Sequence, residues 1–213
     1  MSIPKVIHYC WFGNNQLTQE AVNCINSWKK YCPDYNIVRW DEKNFDINKY
    51  LFTKEAYESK KWAFVADVAR LDIIYNNGGI YFDTDVELIK NIDEFLQNEL
   101  FMGFENKKYV NDGLGFGAIK GNEIIKKNLD MYKNISFFKC KNLSEIACPI
   151  VTSKVLIENG FVMNGELQTK NKCTIYPVEY FCPMDYDTGK IIITKNTYSI
   201  HHYTASWKTK YEL

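Results

Sequence analysis

The stretch Gly78-Gly79-Ile80-Tyr81-Phe82-Asp83-Thr84-Asp85-Val86 sets the expected architecture of the chain. Glycine takes positive φ angles without steric cost, so the Gly78-Gly79 pair predicts a turn. The β-branched and aromatic run that follows predicts a short buried strand. Two aspartates come at the end of this strand, and side chains two residues apart on extended backbone point to the same side. The stretch therefore predicts a turn, a core strand and two carboxylates that face one spot.

Asp83 and Asp85 form a candidate metal site. Two carboxylates that face one spot repel each other unless a cation lies between them, and hard oxygen ligands suit Mn²⁺, Mg²⁺ or Ca²⁺. Such an ion can bridge to a diphosphate and neutralise the charge of a departing phosphate. The alternative interpretation is a polar turn after a core strand, which is the commoner origin of an isolated Asp-x-Asp pair. The preceding segment of the chain favours the metal site.

That segment, residues 62–76, predicts a mostly buried helix. Apolar residues recur through it at helical spacing: Val65, Val68, Ala69, Ile73 and Ile74. Asp67 and Arg70 interrupt the pattern three residues apart, so they lie on one face and are close enough to pair. A salt bridge on a solvated face is the commoner outcome for such a pair. Because this helix leads directly into the acidic strand end, the pair is also a candidate for binding a hydroxylated ligand.

The helix, the glycine pair and the acidic strand end together resemble the core signature of glycosyltransferase family 32. The matching residues run from Trp62 through Asp67, Arg70 and Tyr75 to Val86. The family includes sugar transferases of capsule and lipooligosaccharide synthesis and fungal mannosyltransferases, and the glucosylating domain of the large clostridial toxins carries a similar block. Further landmarks have counterparts at residues 3–13, 27–28, 33–35, 40–41 and 200–207. The resemblance covers nearly the whole chain and implies a GT-A nucleotide-sugar-binding fold.

Elsewhere the chain alternates between predicted strands and helices. Strands are predicted over 5–12, 36–40, 80–82, 100–104, 116–119, 174–177 and 197–202, and helices over 18–31, 62–76, 123–132 and 143–159. Pro149 is expected to kink the last helix or to split it in two. Strands separated by helices predict an α/β fold, with a single mixed sheet flanked by helices, in one domain over residues 1–213. In such sheets ligands bind beyond the carboxyl ends of the strands, where Trp11 and the Asp83–Asp85 stretch are expected.

Composition narrows the classes of function. The 213 residues carry 26 basic and 26 acidic side chains, so nucleic acid is not an expected partner. The seven cysteines are odd in number and form no Cys-x-x-Cys pair, which favours free thiols in a reducing cytosol. The sequence shows no signal-peptide pattern and no apolar run of the ~18 residues that a membrane-spanning helix needs. We therefore expect a cytoplasmic protein, with peripheral association at the inner face of the membrane left open.

The resemblance also implies roles for individual residues. Trp11 matches the tryptophan of the opening strand that stacks on the uracil in the toxin domain, which favours a uridine diphosphate sugar as the donor. Tyr81 would line the nucleotide pocket. Asp67 and Arg70 would hold sugar hydroxyls, and Asp83 would assist the metal site through the ribose or a water molecule.

Histidines and the C-terminal residues supply the remaining candidates. His8 lies within the first predicted strand and is expected to be a structural histidine. In related GT-A enzymes a C-terminal histidine completes the metal site, and His201 and His202 are the candidates here. Adjacent residues on a strand point to opposite faces, so only one of the two can face the ion; His201 is the preferred ligand and His202 the second choice. Ser206 and Trp207 resemble a closing lid that touches the diphosphate.

Together these residues predict a metal-dependent, retaining glycosyltransferase that moves a sugar from a nucleotide-sugar donor to an oligosaccharide or lipid-linked saccharide acceptor, as in bacterial surface polysaccharide synthesis. Mn²⁺ or Mg²⁺ would be held by Asp83, Asp85 and His201. Asn111 and Asp112 are candidates for facing the acceptor. Two other classes stay open: a sugar-nucleotide hydrolase or nucleotidyltransferase with the same metal–diphosphate site, and a non-enzymatic carbohydrate-binding module with Ca²⁺ on the two aspartates.

Overall fold

The structure, a computed structural model, describes residues 2–204, so Ser206 and Trp207 lie outside the described residues. The strands are β1 (Val6–Cys10), β2 (Asn36–Trp40), β3 (Gly79–Tyr81), β4 (Val86–Leu88), β5 (Leu100–Gly103), β6 (Phe116–Ala118), β7 (Gln168–Lys170), β8 (Cys173–Tyr176) and β9 (Ser199–His201). The helices are α1 (Gln19–Tyr31), α2 (Leu51–Glu58), α3 (Trp62–Asn77), α4 (Glu123–Tyr132), α5 (Cys148–Glu158) and α6 (Val178–Phe181). Short 3₁₀ helices lie at Ile47–Lys49, Asp93–Gln97, Asp112–Leu114, Phe137–Lys139 and Leu143–Ile146.

The main sheet is mixed, as predicted, and its strands have the order β2-β1-β3-β6-β5-β8-β7. β1 pairs in parallel with β2 and with β3, while β6 runs antiparallel to its neighbours β3 and β5. β5 pairs in parallel with β8. Strands β1, β2, β3, β5 and β8 therefore all run in one direction, and their carboxyl ends lie along one edge of the sheet, which we call the site edge.

A second, two-stranded sheet consists of β4 and β9. The two strands are antiparallel, and Val86 lies opposite His201 in their register. This small sheet was not predicted, since a three-residue strand such as β4 carries too little pattern to be recognised from sequence. Its consequence is that the end of the described chain lies directly beside Asp85.

The main sheet is covered on both faces. Side chains of β3 alternate: Tyr81 belongs to the core cluster that contains the buried face of α3, whereas Ile80 belongs to the cluster that contains Trp28 of α1. This alternation is the period-two pattern of a strand with both faces buried. Helices α3, α4 and α5 therefore cover one face and α1 covers the other, as the α/β prediction requires.

Helix boundaries follow from local capping chemistry. Asn122 accepts hydrogen bonds from the backbone N–H groups of Ile124 and Ile125, and α4 begins and ends where predicted. Pro149 lies in the first turn of α5, after a separate 3₁₀ helix that ends at Ile146. The predicted split at Pro149 is confirmed, because proline is tolerated only where its missing N–H is not needed.

The seven cysteines are free thiols, with no disulfide between them. None of the helices over residues 2–204 is both long and apolar enough to cross a membrane. The predicted helix over 62–76 and the predicted strand over 36–40 are confirmed, whereas α2, β7 and α6 were not predicted.

Candidate active site

The glycine pair makes the turn that the sequence predicts. Gly78 and Gly79 have φ angles of 70° and 106°, and the N–H of Gly78 donates to Ile74 O at 2.8 Å to close helix α3. A Cβ atom on Gly79 would lie 2.8 Å from Val6 O and 2.9 Å from His8 Nε2. Only glycine fits this close approach at this backbone conformation. The turn places the acidic residues at the carboxyl end of β3.

The Asp83–Asp85 stretch is a turn rather than the extended backbone that the sequence led us to expect. The N–H of Val86 donates to Asp83 O at 3.1 Å, and Thr84 and Asp85 are turn residues. The reversal is needed because the chain must leave the main sheet and enter β4 of the small sheet within a few residues. The two carboxylates are therefore brought together by a turn between two sheets.

Asp83 is fixed from the side of the main sheet. Tyr81 Oη donates to its Oδ1 at 3.0 Å, and Arg70 Nη1 donates to its Oδ2 at 3.3 Å. Burial and the nearby Asp85 carboxylate raise the pKa of Asp83, against the attraction of Arg70. A Cβ on Gly113 would lie 2.5 Å from Asp83 Oδ2, so a glycine at this position leaves room for the carboxylate.

Arg70 lies among three carboxylates. It forms a salt bridge with Asp67, as the three-residue spacing predicts, and its Nη1 is 3.3 Å from Asp83 and 3.5 Å from Asp112. Its guanidinium also lies over the Tyr81 ring, 5.1 Å from the ring centroid. Arg70 is only 2% exposed, so the pair is a buried salt bridge and the alternative of one on a solvated face is wrong.

Burial determines the charge of this group of residues. It raises the pKa of Asp67 to about 7, although the Arg70 charge acts in the opposite direction. The Cys148 thiol donates to Asn111 Oδ1 at 3.3 Å, and burial also raises the pKa of this thiol well above its usual range. Arg70 thus faces three carboxyl groups, and the raised pKa of Asp67 reduces the negative charge that this single guanidinium must balance.

Asp85 is fixed from the side of the small sheet. His201 Nε2 lies 3.2 Å from its Oδ1, and both the N–H and the Oγ1 of Thr204 donate to its Oδ2 at 3.0 Å. Burial alone would raise the pKa of Asp85, but the hydrogen bond and charge of His201 outweigh it and lower that pKa. For His201, the effect of burial is outweighed by the same contact, and its pKa is raised to about 10. The two groups form a buried ion pair.

The two neighbouring histidines have different surroundings. His201 is 7% exposed and points to Asp85, whereas His202 Nε2 lies 2.9 Å from Glu87 Oε2. The expected opposite orientation of adjacent strand residues is confirmed, and it brings His201 to the aspartates. His8 accepts a hydrogen bond from Trp40 Nε1 at 3.0 Å and contacts Gly78 O at 3.1 Å, as expected for a structural histidine.

Asp83, Asp85 and His201 fit a divalent cation. Each offers one ligand atom, and these atoms all lie within 4.8 Å of one another. Two carboxylate oxygens and one imidazole nitrogen are a donor set that suits Mn²⁺, and carboxylates with open positions suit Mg²⁺. Tyr81 and Arg70 hydrogen-bond to the Asp83 carboxylate and Thr204 hydrogen-bonds to that of Asp85, and such outer contacts orient metal ligands.

Two predicted nucleotide contacts have clear positions. Trp11 directly follows β1 at the site edge, is partly buried, and its Nε1 donates to Asn15 O at 2.9 Å. Tyr81 is only 1% exposed. Its ring packs against the Arg70 guanidinium, and its hydroxyl donates a hydrogen bond to Asp83. Contact of either side chain with a nucleotide stays a prediction.

Sequence reasoning missed Thr204 and did not anticipate the part of Asp112 in holding Arg70. Asp112 is fully buried and begins a 3₁₀ helix that is capped by Asn111. The sequence Asn-Asp-Gly predicts a turn but does not reveal the partner of Asp112. Thr204 follows Tyr203, which has a φ of 50°. No local pattern distinguishes Thr204 from any other exposed threonine.

Residues 18–102 match the family model described as the glycosyltransferase sugar-binding region containing the DXD motif. Among curated proteins, inositol phosphoceramide mannosyltransferase 3 of Schizosaccharomyces pombe is 28% identical over 141 residues, which cover 64% of this chain and 38% of the relative. Inositol phosphoceramide mannosyltransferase 1 of the same yeast is 32% identical over 111 residues, which cover 47% of this chain and 33% of the relative. The chain thus spans little more than a third of the length of these relatives.

Two solved structures share the architecture. The PaToxG glycosyltransferase matches with a TM-score of 0.63 and 21% identity, over 75% of this chain and 70% of that one. A glycosyltransferase involved in glycosylation of the major capsid of PBCV-1 matches with a TM-score of 0.50 and 13% identity, over 94% of this chain and 95% of that one. At these identities the likeness concerns the fold, and it confirms the predicted GT-A type α/β fold with its mixed main sheet.

Proposed function

We propose that this chain, a glycosyltransferase of the DXD sugar-binding family by the match of residues 18–102, transfers a sugar from a nucleotide-sugar donor to a carbohydrate acceptor in a metal-dependent reaction. The match confirms the family resemblance drawn from the sequence. The observation that carries the proposal is the cluster of Asp83, Asp85 and His201, whose ligand atoms lie within 4.8 Å of one another. This cluster follows the carboxyl end of β3, the edge at which α/β sheets bind ligands.

Asp83, Asp85 and His201 would hold Mn²⁺ or Mg²⁺. The bound ion would neutralise the negative charge of the diphosphate leaving group. The buried ion pair of Asp85 and His201 keeps these two side chains in place before the ion arrives. Arg70 does the same for Asp83, because a guanidinium with three carboxylate partners has little freedom to move.

Donor binding is assigned to residues along the site edge. Trp11 would stack on the nucleotide base, and Tyr81 would support the nucleotide pocket through Asp83. Asp67 and Arg70 would hold hydroxyls of the transferred sugar, since both are polar groups beside the metal cluster. Ser206 and Trp207, which lie outside the described residues, would close over the diphosphate.

The reaction would retain the anomeric configuration by a front-face mechanism. Asp67 and Asp112 are the carboxylates that share Arg70 with Asp83, and both are engaged by it. A carboxylate held in this way is poorly suited to act as a nucleophile. The leaving phosphate would instead take the proton from the acceptor hydroxyl.

A uridine diphosphate sugar is the favoured donor, and an oligosaccharide or lipid-linked saccharide in bacterial surface polysaccharide synthesis is the favoured acceptor. The reaction would then take place in the cytoplasm, at the inner face of the membrane. A second candidate donor is a mannose nucleotide, because two relatives are named inositol phosphoceramide mannosyltransferases. The same names favour an acceptor that carries a lipid.

A donor screen tests the proposal. Uridine and guanosine diphosphates and their sugars are added to the full chain with and without Mn²⁺, and the melting temperature and binding heat are measured. We expect one nucleotide to bind only when Mn²⁺ is present. No nucleotide binding, with Ca²⁺ and free sugar bound instead, would favour a carbohydrate-binding module.

A labelled donor then separates transfer from hydrolysis. A transferase incorporates label into an added saccharide and releases little free sugar. A hydrolase releases free sugar at the same rate whether or not an acceptor is present, and that outcome would overturn the proposed reaction.

A further inference from the structure

An exposed apolar loop projects from the site edge. Ile191, Ile192 and Ile193 are consecutive and are 41%, 59% and 57% exposed. The loop is well formed: the N–H of Asp185 donates to Lys190 O at 2.9 Å, and Met184 forms an isolated bridge with Ile191. Three adjacent isoleucines that a formed loop holds in solvent are unusual, because each gives up the free energy of burial.

The first part of this loop connects to the candidate active site. It follows β8, whose carboxyl end belongs to the site edge, and the chain then returns through β9 to Asp85. Ring contacts link the two regions directly. The Tyr186 ring lies 5.1 Å from the Tyr203 ring, which lies 4.3 Å from the His201 imidazole. The beginning of the loop that carries the isoleucines is therefore joined, through Tyr203, to a residue of the proposed metal cluster.

Basic side chains border the isoleucines. Lys190 and Lys195 are exposed on either side of the apolar run, and the Lys90 ammonium donates to Lys195 O. Two aspartates precede the run, and one of them, Asp185, accepts hydrogen bonds from the N–H and Oγ1 of Thr188. Apolar side chains flanked by lysines are the combination that enters a bilayer interface whose lipid headgroups are anionic.

We propose that Ile191–Ile193 insert into the interface of an anionic phospholipid membrane, with Lys190 and Lys195 at the headgroups. Membrane contact through these residues deepens the proposed function, which puts the reaction at the inner face of a membrane. It requires neither a donor nor turnover, so it can be tested independently of both.

Vesicle flotation tests the proposal with the full chain. The parent is expected to float with vesicles of phosphatidylcholine and phosphatidylglycerol, and to float much less with phosphatidylcholine alone. The double variant I192Q/I193Q should lose binding at least about fivefold, because two apolar anchors are removed. The charge variant K190E/K195E should lose binding to the anionic vesicles in particular.

A matched control is the double variant L51Q/I157Q. These side chains are 51% and 54% exposed, similar to the isoleucines. Ile157 lies near the edge of the main sheet opposite the site edge. Its neighbour Asn159 lines a cavity of about 330 Å³ together with Glu99, and Glu99 directly precedes the amino end of β5. The control should bind vesicles like the parent.

Nucleotide binding with Mn²⁺, measured on every variant, separates the two proposals. Loss of vesicle binding by I192Q/I193Q with unchanged nucleotide binding supports the membrane contact. A parent that binds nucleotide but no vesicle overturns it and leaves the proposed function standing. Equal flotation of parent and I192Q/I193Q overturns it as well. The proposal is also overturned if the parent is a dimer and I192Q/I193Q is a monomer, because the isoleucines would then bind a second copy of the chain.

Discussion

The two aspartates of one turn are held in opposite ways. Asp83 is fixed by Tyr81 and Arg70, which lie two and thirteen residues before it on β3 and α3. Asp85 is fixed by His201 and Thr204, and Thr204 is 119 residues away in the chain. One half of the candidate site therefore belongs to the main sheet and to local sequence, and the other half belongs to the small sheet and to a long-range contact.

The difference shows how stability and function are divided across the site. In the Asp83 half, Arg70 and Tyr81 are buried and Arg70 faces three carboxylates, so disturbing Arg70 should strongly destabilise the protein. The Asp85 half lies between two short strands, so disturbing it should affect ligand binding more than folding. The following changes test that division.

Replacing Arg70 should have the largest effect. Arg70→Met leaves three carboxylates in a buried site without their cation, which typically costs about 3–5 kcal/mol of stability. Urea unfolding monitored by circular dichroism measures this loss of stability. Arg70→Lys keeps the charge and should recover part of the loss, although lysine cannot reproduce the planar contacts of arginine.

The matched control for Arg70 is Arg39→Met. Arg39 is the other arginine of the chain, and it pairs with Asp41 while its side chain is 37% exposed. Its loss should cost less than about 1 kcal/mol, as for most exposed ion pairs. Similar losses for both variants would contradict the assignment of stability to the Asp83 half.

Asp85→Asn should abolish transfer while the protein stays folded. The change removes one anionic ligand, and we expect turnover to fall at least about 100-fold, beyond what altered supporting contacts usually cost. Turnover at limiting Mn²⁺ and circular dichroism are measured together. Asp34→Asn, at an exposed aspartate paired with Lys5, is the control and should change neither. Near-normal turnover in folded Asp85→Asn would remove this residue from the metal site.

Between pH 5 and pH 7, the pH dependence of stability should come from the main-sheet side of the molecule. Burial lowers the pKa of His8 to about 4, against the hydrogen bond to Gly78. His8 therefore binds a proton more readily in the unfolded chain than in the folded one. As pH falls from 7 to 5, the free energy of unfolding should decrease by about 2 kcal/mol. Asp67 acts in the opposite direction: its pKa, raised to about 7, makes the folded state gain stability as pH falls through that value.

Two variants separate these opposed contributions. The compared quantity is the change in the free energy of unfolding from pH 7 to pH 5. His8→Gln should lose less of this free energy than the parent does, and Asp67→Asn should lose more. Urea unfolding at both pH values gives the comparison. An NMR titration that places the His8 pKa near its ordinary value would contradict the prediction.

Thr204→Val should have the smallest effect. It removes one of two hydrogen bonds to Asp85 Oδ2 and keeps the backbone N–H contact. We expect Mn²⁺ affinity to fall up to about tenfold with little change in melting temperature. Thr188→Val removes an equivalent hydroxyl contact to Asp185, away from the aspartate turn, and should leave Mn²⁺ affinity unchanged. Equal affinities for both variants would show that Thr204 does not orient Asp85.

The same division explains what could be predicted from the sequence. Helix α3, the glycine turn and the Asp67–Arg70 pair depend on neighbours within a few residues, so periodicity and spacing were sufficient. The contacts of Arg70 with Asp112 and of Asp85 with Thr204 depend on how separate elements meet in space. His201 was reached only through the family resemblance, since a strand of three residues such as β9 has no pattern of its own.

The pairing of β4 with β9 also has a consequence for the order of folding. Asp85 leaves the ribosome long before Thr204, and the chain between them includes four of the seven strands of the main sheet. Residues 2–83 can begin to assemble α3 and β3 as they emerge, because their contacts are close in sequence. The Asp85–His201 pair can form only after the last strand has arrived. The proposed metal site of a nascent chain would therefore be complete only after β9 has emerged, and metal binding would report this step more sharply than helix content does.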